Sequence, residues 1–122
     1  MDYVEEFTHE GKNFVCIDFS ELTTDESYSE RIEQTIPAIN KHSENSVYMI
    51  ANIENIKFDS NTKRITAKYM DRIRPFVKFA ALYGVDGIKK LMIISAMRMA
   101  GRMNLNFAFS RERAIEWLLT QE

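Results

Sequence analysis

Apolar positions along the chain change their period several times, and each change marks an element. Residues 3–8 (Tyr-Val-Glu-Glu-Phe-Thr) and 13–19 (Asn-Phe-Val-Cys-Ile-Asp-Phe) read as two strands. His9, Glu10, Gly11 and Lys12 join them, and Gly11 supplies the permissive backbone of a hairpin turn. The second run is apolar on both faces, which places it inside a sheet. A helix is predicted next. Thr23 and Glu26 have capping-box spacing, and Tyr28, Ile32, Ile36 and Ile39 form one buried stripe. Pro37 interrupts that stripe and predicts a kink or a break, because it removes a backbone donor and crowds the preceding turn.

Residues 47–53 are continuously apolar, the mark of a strand covered on both faces. Ser60 or Asn61 is expected to cap a helix carrying Ile65, Tyr69 and Ile73, which Pro75 closes. Residues 76–83 form the next apolar strand and end at Gly84. Asp86 is placed to cap a helix over Gly87–Ala100, with Gly101 as its stop. Residues 104–109 alternate Leu105, Phe107 and Phe109 on one face, so this strand has a polar side and sits at an edge. Ser110 then caps a last helix with Ala114, Ile115, Leu118 and Leu119 inward. Strands alternating with helices through short links predict an α/β fold. The expected architecture is a single mixed five-stranded sheet, an N-terminal hairpin followed by β–α repeats, with four helices and one domain over residues 1–122.

Composition narrows the function. Hydrophobic residues at 45% and charged residues at 28% are globular values. No apolar run approaches the ~18–20 residues that span a bilayer. The acidic start, Met1 to Glu6, lacks a secretory pattern, and the single Cys16 forms no internal disulfide, so a cytoplasmic location is expected. The net charge of −2 hides a split: residues 1–46 carry −8 and the remainder +6. Such a split can offer a basic face to an anionic partner, or can reflect helices that simply differ in their solvated charges.

Enzyme chemistry finds little support. His9 and His42 lack neighbours at metal-ligand spacing, no Ser/His/Asp pattern stands out, and Cys16 packs best as a small hydrophobe. No catalytic residue, cofactor or metal is therefore expected. The basic residues do not interleave with stacking aromatics, so neither is a nucleic-acid partner. Gly84-Val85-Asp86-Gly87 before Lys89 and Lys90 has the look of a phosphate cradle, but Asp86 would occupy the same amides; a turn and a cap fit better.

The helix over Gly87–Ala100 carries two apolar stripes. At 100° per residue, Ile88, Leu91, Met92, Ser95 and Met99 fall on one side, read as the core face. Ile93, Ile94, Met97 and Ala100 then fall on the other sides, among Lys89, Lys90 and Arg98, with Arg102 and Met103 beyond. If exposed, Ile93, Ile94 and Met97 within that ring of bases suit an anionic membrane surface, a lid over an apolar or amphiphilic small molecule, or a partner protein. The alternative is that the last helix, with Trp117, covers them.

Three segments carry a resemblance to a known family: residues 17–22 (Ile-Asp-Phe-Ser-Glu-Leu), residues 79–90 (Phe-Ala-Ala-Leu-Tyr-Gly-Val-Asp-Gly-Ile-Lys-Lys) and residues 109–118 (Phe-Ser-Arg-Glu-Arg-Ala-Ile-Glu-Trp-Leu). Their order and spacing resemble the SpoIIAA-like branch of the STAS family, whose members are also grouped with SEC14-like lipid-binding proteins. The resemblance implies a non-enzymatic binding or carrier domain, for an apolar or amphiphilic ligand or peripherally at an anionic membrane. It also implies an alternative, a phosphorylatable switch. In anti-sigma-factor antagonists of this type a serine after an aspartate at a helix start is reversibly phosphorylated, and Asp59-Ser60 falls at the equivalent place. Lys63 and Arg64 lie one turn on. Asn61-Thr62-Lys63-Arg64 departs from the family's serine- and glycine-rich continuation, and a plain helix cap also explains Ser60.

Overall fold

A computed structural model describes residues 3–101 and 104–121. Strands β1 (Val4–His9) and β2 (Lys12–Asp18) form the hairpin, with Phe7 opposite Phe14. Glu10 and Gly11 both take positive φ, 50° and 77°, which is the twist a two-residue hairpin turn needs. There follow α1 (Asp25–Asn40), β3 (Val47–Asn52), α2 (Ser60–Ile73), β4 (Val77–Tyr83), α3 (Gly87–Ala100), β5 (Leu105–Ala108) and α4 (Arg111–Leu119). The strands lie in chain order, β1 antiparallel to β2 and the rest parallel.

Each crossover steps one strand in the same direction, so a single handedness puts α1, α2 and α3 on one face. There Tyr28, Ile32, Tyr69, Met70 and Ile93 pack on Val15, Ile17, Met49, Ala51 and Leu82. After β5 no further strand is reached, and α4 covers the other face, with Ala114 and Leu118 on Phe14, Tyr48, Ile50 and Ala81. Between α1 and α2, the Tyr28 and Tyr69 hydroxyls pair with Thr66 and Thr35, each at 2.7 Å. These pairs satisfy polar atoms that would otherwise be costly to bury.

Three local expectations shift. Thr24, not Thr23, caps α1 and accepts from the Ser27 N–H. Asp59, not Ser60 or Asn61, caps α2 and accepts from the N–H groups of Asn61 and Thr62. A carboxylate at that place also meets the helix dipole favourably. Pro37 lies inside an unbroken α1, on its exposed side, where water can reach the carbonyl left without a donor.

Candidate functional site

Helix α3 is turned the opposite way to the one its periodicity predicts. Ile93 is 3% exposed and Ala96 0%, and Met97 and Ala100 pack against the same core. These four positions follow the spacing i, i+3, i+4, i+7, a complete helical stripe. Two alanines in it let the helix backbone come close to its neighbours. The stripe expected as the core face points out instead: Ile88 is 76% exposed, Leu91 69% and Met99 55%. Nor does α4 cover Ile93, because α4 lies on the opposite face of the sheet. Of the positions singled out as a ligand or membrane surface, Ile93 is in the core, and Ile94 and Met97 are half-buried. Lys90 and Arg98 are exposed, Lys89 is partly so, and Arg102 lies outside the described residues.

The helix is anchored at both ends. Asp86 accepts from the Lys89 N–H at 3.0 Å, as expected of a cap, and the Arg74 guanidinium donates to the Ala100 carbonyl. Lys63 of α2 reaches the Ser95 hydroxyl at 3.4 Å. Beside its first turn, Lys90 lies 5.3 Å from the ring centroid of Phe107, and both line a hollow of ≈ 360 Å³ with Phe109. Phe109 was expected on the same face as Leu105 and Phe107. It falls just past the end of β5 and is 99% exposed.

At the start of α2, Ser60 is exposed and lies one residue beyond the cap. The Asp59 carboxyl falls to about 2, chiefly because it accepts the Thr62 N–H, then the Thr62 hydroxyl and a contact with Lys57. The capping role that offered a purely structural account of Ser60 belongs to Asp59.

A third feature was not expected. On the α4 face, strand register aligns three rows: Phe14, Tyr48 and Phe79; Cys16, Ile50 and Ala81; Asp18, Asn52 and Tyr83. The first two rows meet α4. The third, at the carboxyl ends of the strands, is polar and borders a hollow of ≈ 210 Å³ that Tyr3 and Arg111 also line. Burial pushes the Cys16 thiol up to about 11, which keeps it neutral at the floor of this hollow.

The whole arrangement has known counterparts. A solved protein of the DUF3478 family with a SpoIIAA-like fold, from Shewanella loihica, superposes with a TM-score of 0.64 at 13% identity, covering 94% of this chain and 91% of that one. An anti-sigma-factor antagonist (STAS) domain protein from Planctomyces limnophilus gives 0.59 at 10% identity, covering 96% and 98%. This is the SpoIIAA-like, STAS-type fold. No protein-family model and no curated protein matches the chain.

Within this STAS-type fold the two histidines stay at the surface of the hairpin side. His42 lies 3.4 Å from Glu6, and His9 3.5 Å from Glu10. Among the described residues no group of three or more His, Cys, Asp or Glu is placed to hold a metal, and no helix is long and apolar enough to cross a membrane.

Proposed function

We propose that this chain is a non-catalytic docking domain whose outer α3 face seats on an anionic membrane surface. One observation supports the reading above others. The exposed large hydrophobic residues among those described are Ile88, Leu91, Met99 and Phe109, and all lie on α3 or beside its first turn. No acid occurs between Gly87 and Ala100, where Lys89, Lys90 and Arg98 flank the stripe. Apolar side chains on a convex helix ringed by bases suit the boundary between headgroups and acyl chains. Each aliphatic side chain that inserts fully contributes about 1.5–3 kcal/mol, and each nearby base about 1 kcal/mol against anionic lipid.

Charge also selects among occupants. A second copy pairing α3 on α3 would bring like charges together, which costs affinity. Carriage of a lipid inside the core has less support, because the cavity beneath α2 and α3 holds only ≈ 50 Å³, well under the roughly 150 Å³ that accommodates benzene.

Co-sedimentation with phosphatidylcholine vesicles, with and without phosphatidylserine, tests this. The protein is expected to pellet only with the anionic vesicles and to be released by salt. The double variant Ile88→Glu, Leu91→Glu is expected to lose at least about tenfold in partition, the equivalent of 1.4 kcal/mol. Equal pelleting of the variant and the parent would remove the reading.

The exposed Ser60 supports a second reading, a phosphorylatable regulatory switch, on a fold shared with the anti-sigma-factor antagonist (STAS) domain protein from Planctomyces. A phosphate there would meet the α2 N-terminus, with Lys63 and Arg64 one turn on. Phosphopeptide mass spectrometry of the protein from its host should then find modified Ser60. Ser60→Asp and Ser60→Ala should differ in partner capture; identical behaviour of the two would count against it.

A further inference from the structure

Parallel α/β sheets bind ligands beyond the carboxyl ends of their strands, where side chains from several strands converge. The polar row of Asp18, Asn52 and Tyr83 stands at that edge, on adjacent strands spaced ~4.8 Å apart. Two of its members are held by neighbouring groups. One Asp18 carboxylate oxygen accepts from the N–H and hydroxyl of Ser20, at 2.8 and 2.5 Å, which leaves the other oxygen for a ligand. Asn52 accepts from the Glu54 N–H at 3.1 Å through its carbonyl oxygen, so its amide NH₂ remains to donate. Burial raises Tyr83, which keeps its hydroxyl protonated and able to donate.

Arg111, the first residue of α4, closes one side. One of its nitrogens pairs with Glu5 at 2.9 Å, and the guanidinium has further donors. Tyr3, which also lines the hollow, carries the Arg31 guanidinium 3.3 Å from its ring centroid, and Arg31 donates to the Asp18 carbonyl. The hollow of ≈ 210 Å³ thus presents charges of both signs: Asp18 and Glu5 toward β1 and β2, Arg111 toward α4. An anion alone would face the two carboxylates, and a cation alone would face the guanidinium. A ligand carrying both charges leaves neither unmatched.

We propose that this hollow binds a small zwitterion of the α-amino-acid type, its carboxylate on Arg111 and the Asn52 amide and its ammonium on Asp18. The site lies on the α4 face of the sheet, away from the outer side of α3, so it stands or falls independently of membrane docking. ¹⁵N-labelled protein titrated singly with the standard L-amino acids, and with acetate and ethylammonium as single-charge controls, provides the test. At least one amino acid is expected to shift the Cys16 to Asp18, Asn52 and Tyr83 amide signals saturably, with both controls at least about tenfold weaker. Asp18→Asn keeps an acceptor for Ser20 and Arg111→Gln keeps the helix start; each is expected to weaken binding about tenfold or more, while Ile88→Glu leaves it unchanged. The proposal is overturned if no amino acid gives a saturable shift, if acetate or ethylammonium binds as well, or if the Asp18 and Arg111 variants bind like the parent.

Discussion

Asp59 holds the first turn of α2 with a single carboxylate oxygen, which accepts from two backbone N–H groups and from the Thr62 hydroxyl. Those bonds favour the ionised form, so the folded protein holds the group near 2 against an ordinary value of 3.8. The sign follows from linkage. A depressed carboxylate adds stability that is fully present above its unfolded value and is lost as pH falls through its folded value. Thermal midpoints measured between neutral pH and pH ~2 should therefore fall less steeply in Asp59→Ser, which retains a cap without the titrating charge. An unchanged slope would show that Asp59 carries none of the acid sensitivity. Caps of this kind are among the more legible residues. Asp86 and Ser110 sit where local spacing places them, whereas α1 and α2 begin on Thr24 and Asp59, one residue from the expected caps or candidates. Runs such as Thr-Thr-Asp and Asp-Ser-Asn contain several competent caps, and tertiary packing chooses among them.

Helix α3 shows where local pattern stops deciding. Its sequence carries two stripes of apolar residues, and periodicity alone ranks the bulkier one, Ile88, Leu91 and Met99, as core. The structure buries the smaller stripe because Ala96 and Ala100 allow closer approach. That choice belongs to packing. It makes a sharp contrast measurable in urea: Ile93→Ala should cost about 2–5 kcal/mol, and Ile88→Glu within about 0.5 kcal/mol. Comparable losses would mean the helix is turned the other way. Only Ile93 and Ala96 of α3 are fully buried, against six residues of α2. Amide hydrogen exchange in α3 should accordingly outpace that in α2 and β3, since helices with few buried contacts open at lower free energy. β2 and β3, by contrast, were legible from their unbroken apolar runs, because a strand covered on both faces has no polar side to hide.

Across the whole molecule, the order of elements predicted the sheet, and the fold matches solved STAS-type structures at only 10–13% identity. Alternation of strands and helices survives where residue identities do not. The polar row of Asp18, Asn52 and Tyr83 was not legible, because it exists only through the register of three strands far apart in sequence. The charge split acquires a place in the fold. Acidic α1 and basic α3 flank α2 on one face, so the exposed Glu26, Glu30 and Glu33 lie on a different helix from Lys89, Lys90 and Arg98. In the proposed docking the basic, apolar outer side of α3 meets the anionic surface, and the acidic residues of α1 lie one helix further along the same face. The buried Cys16 permits a direct reading of that orientation, since a thiol introduced elsewhere can be labelled alone. A polarity-sensitive fluorophore on Leu91→Cys, compared with one on Glu30→Cys, should shift to the blue only at position 91 when phosphatidylserine-containing vesicles are added. A shift at both positions, or at neither, would contradict docking through the outer face of α3.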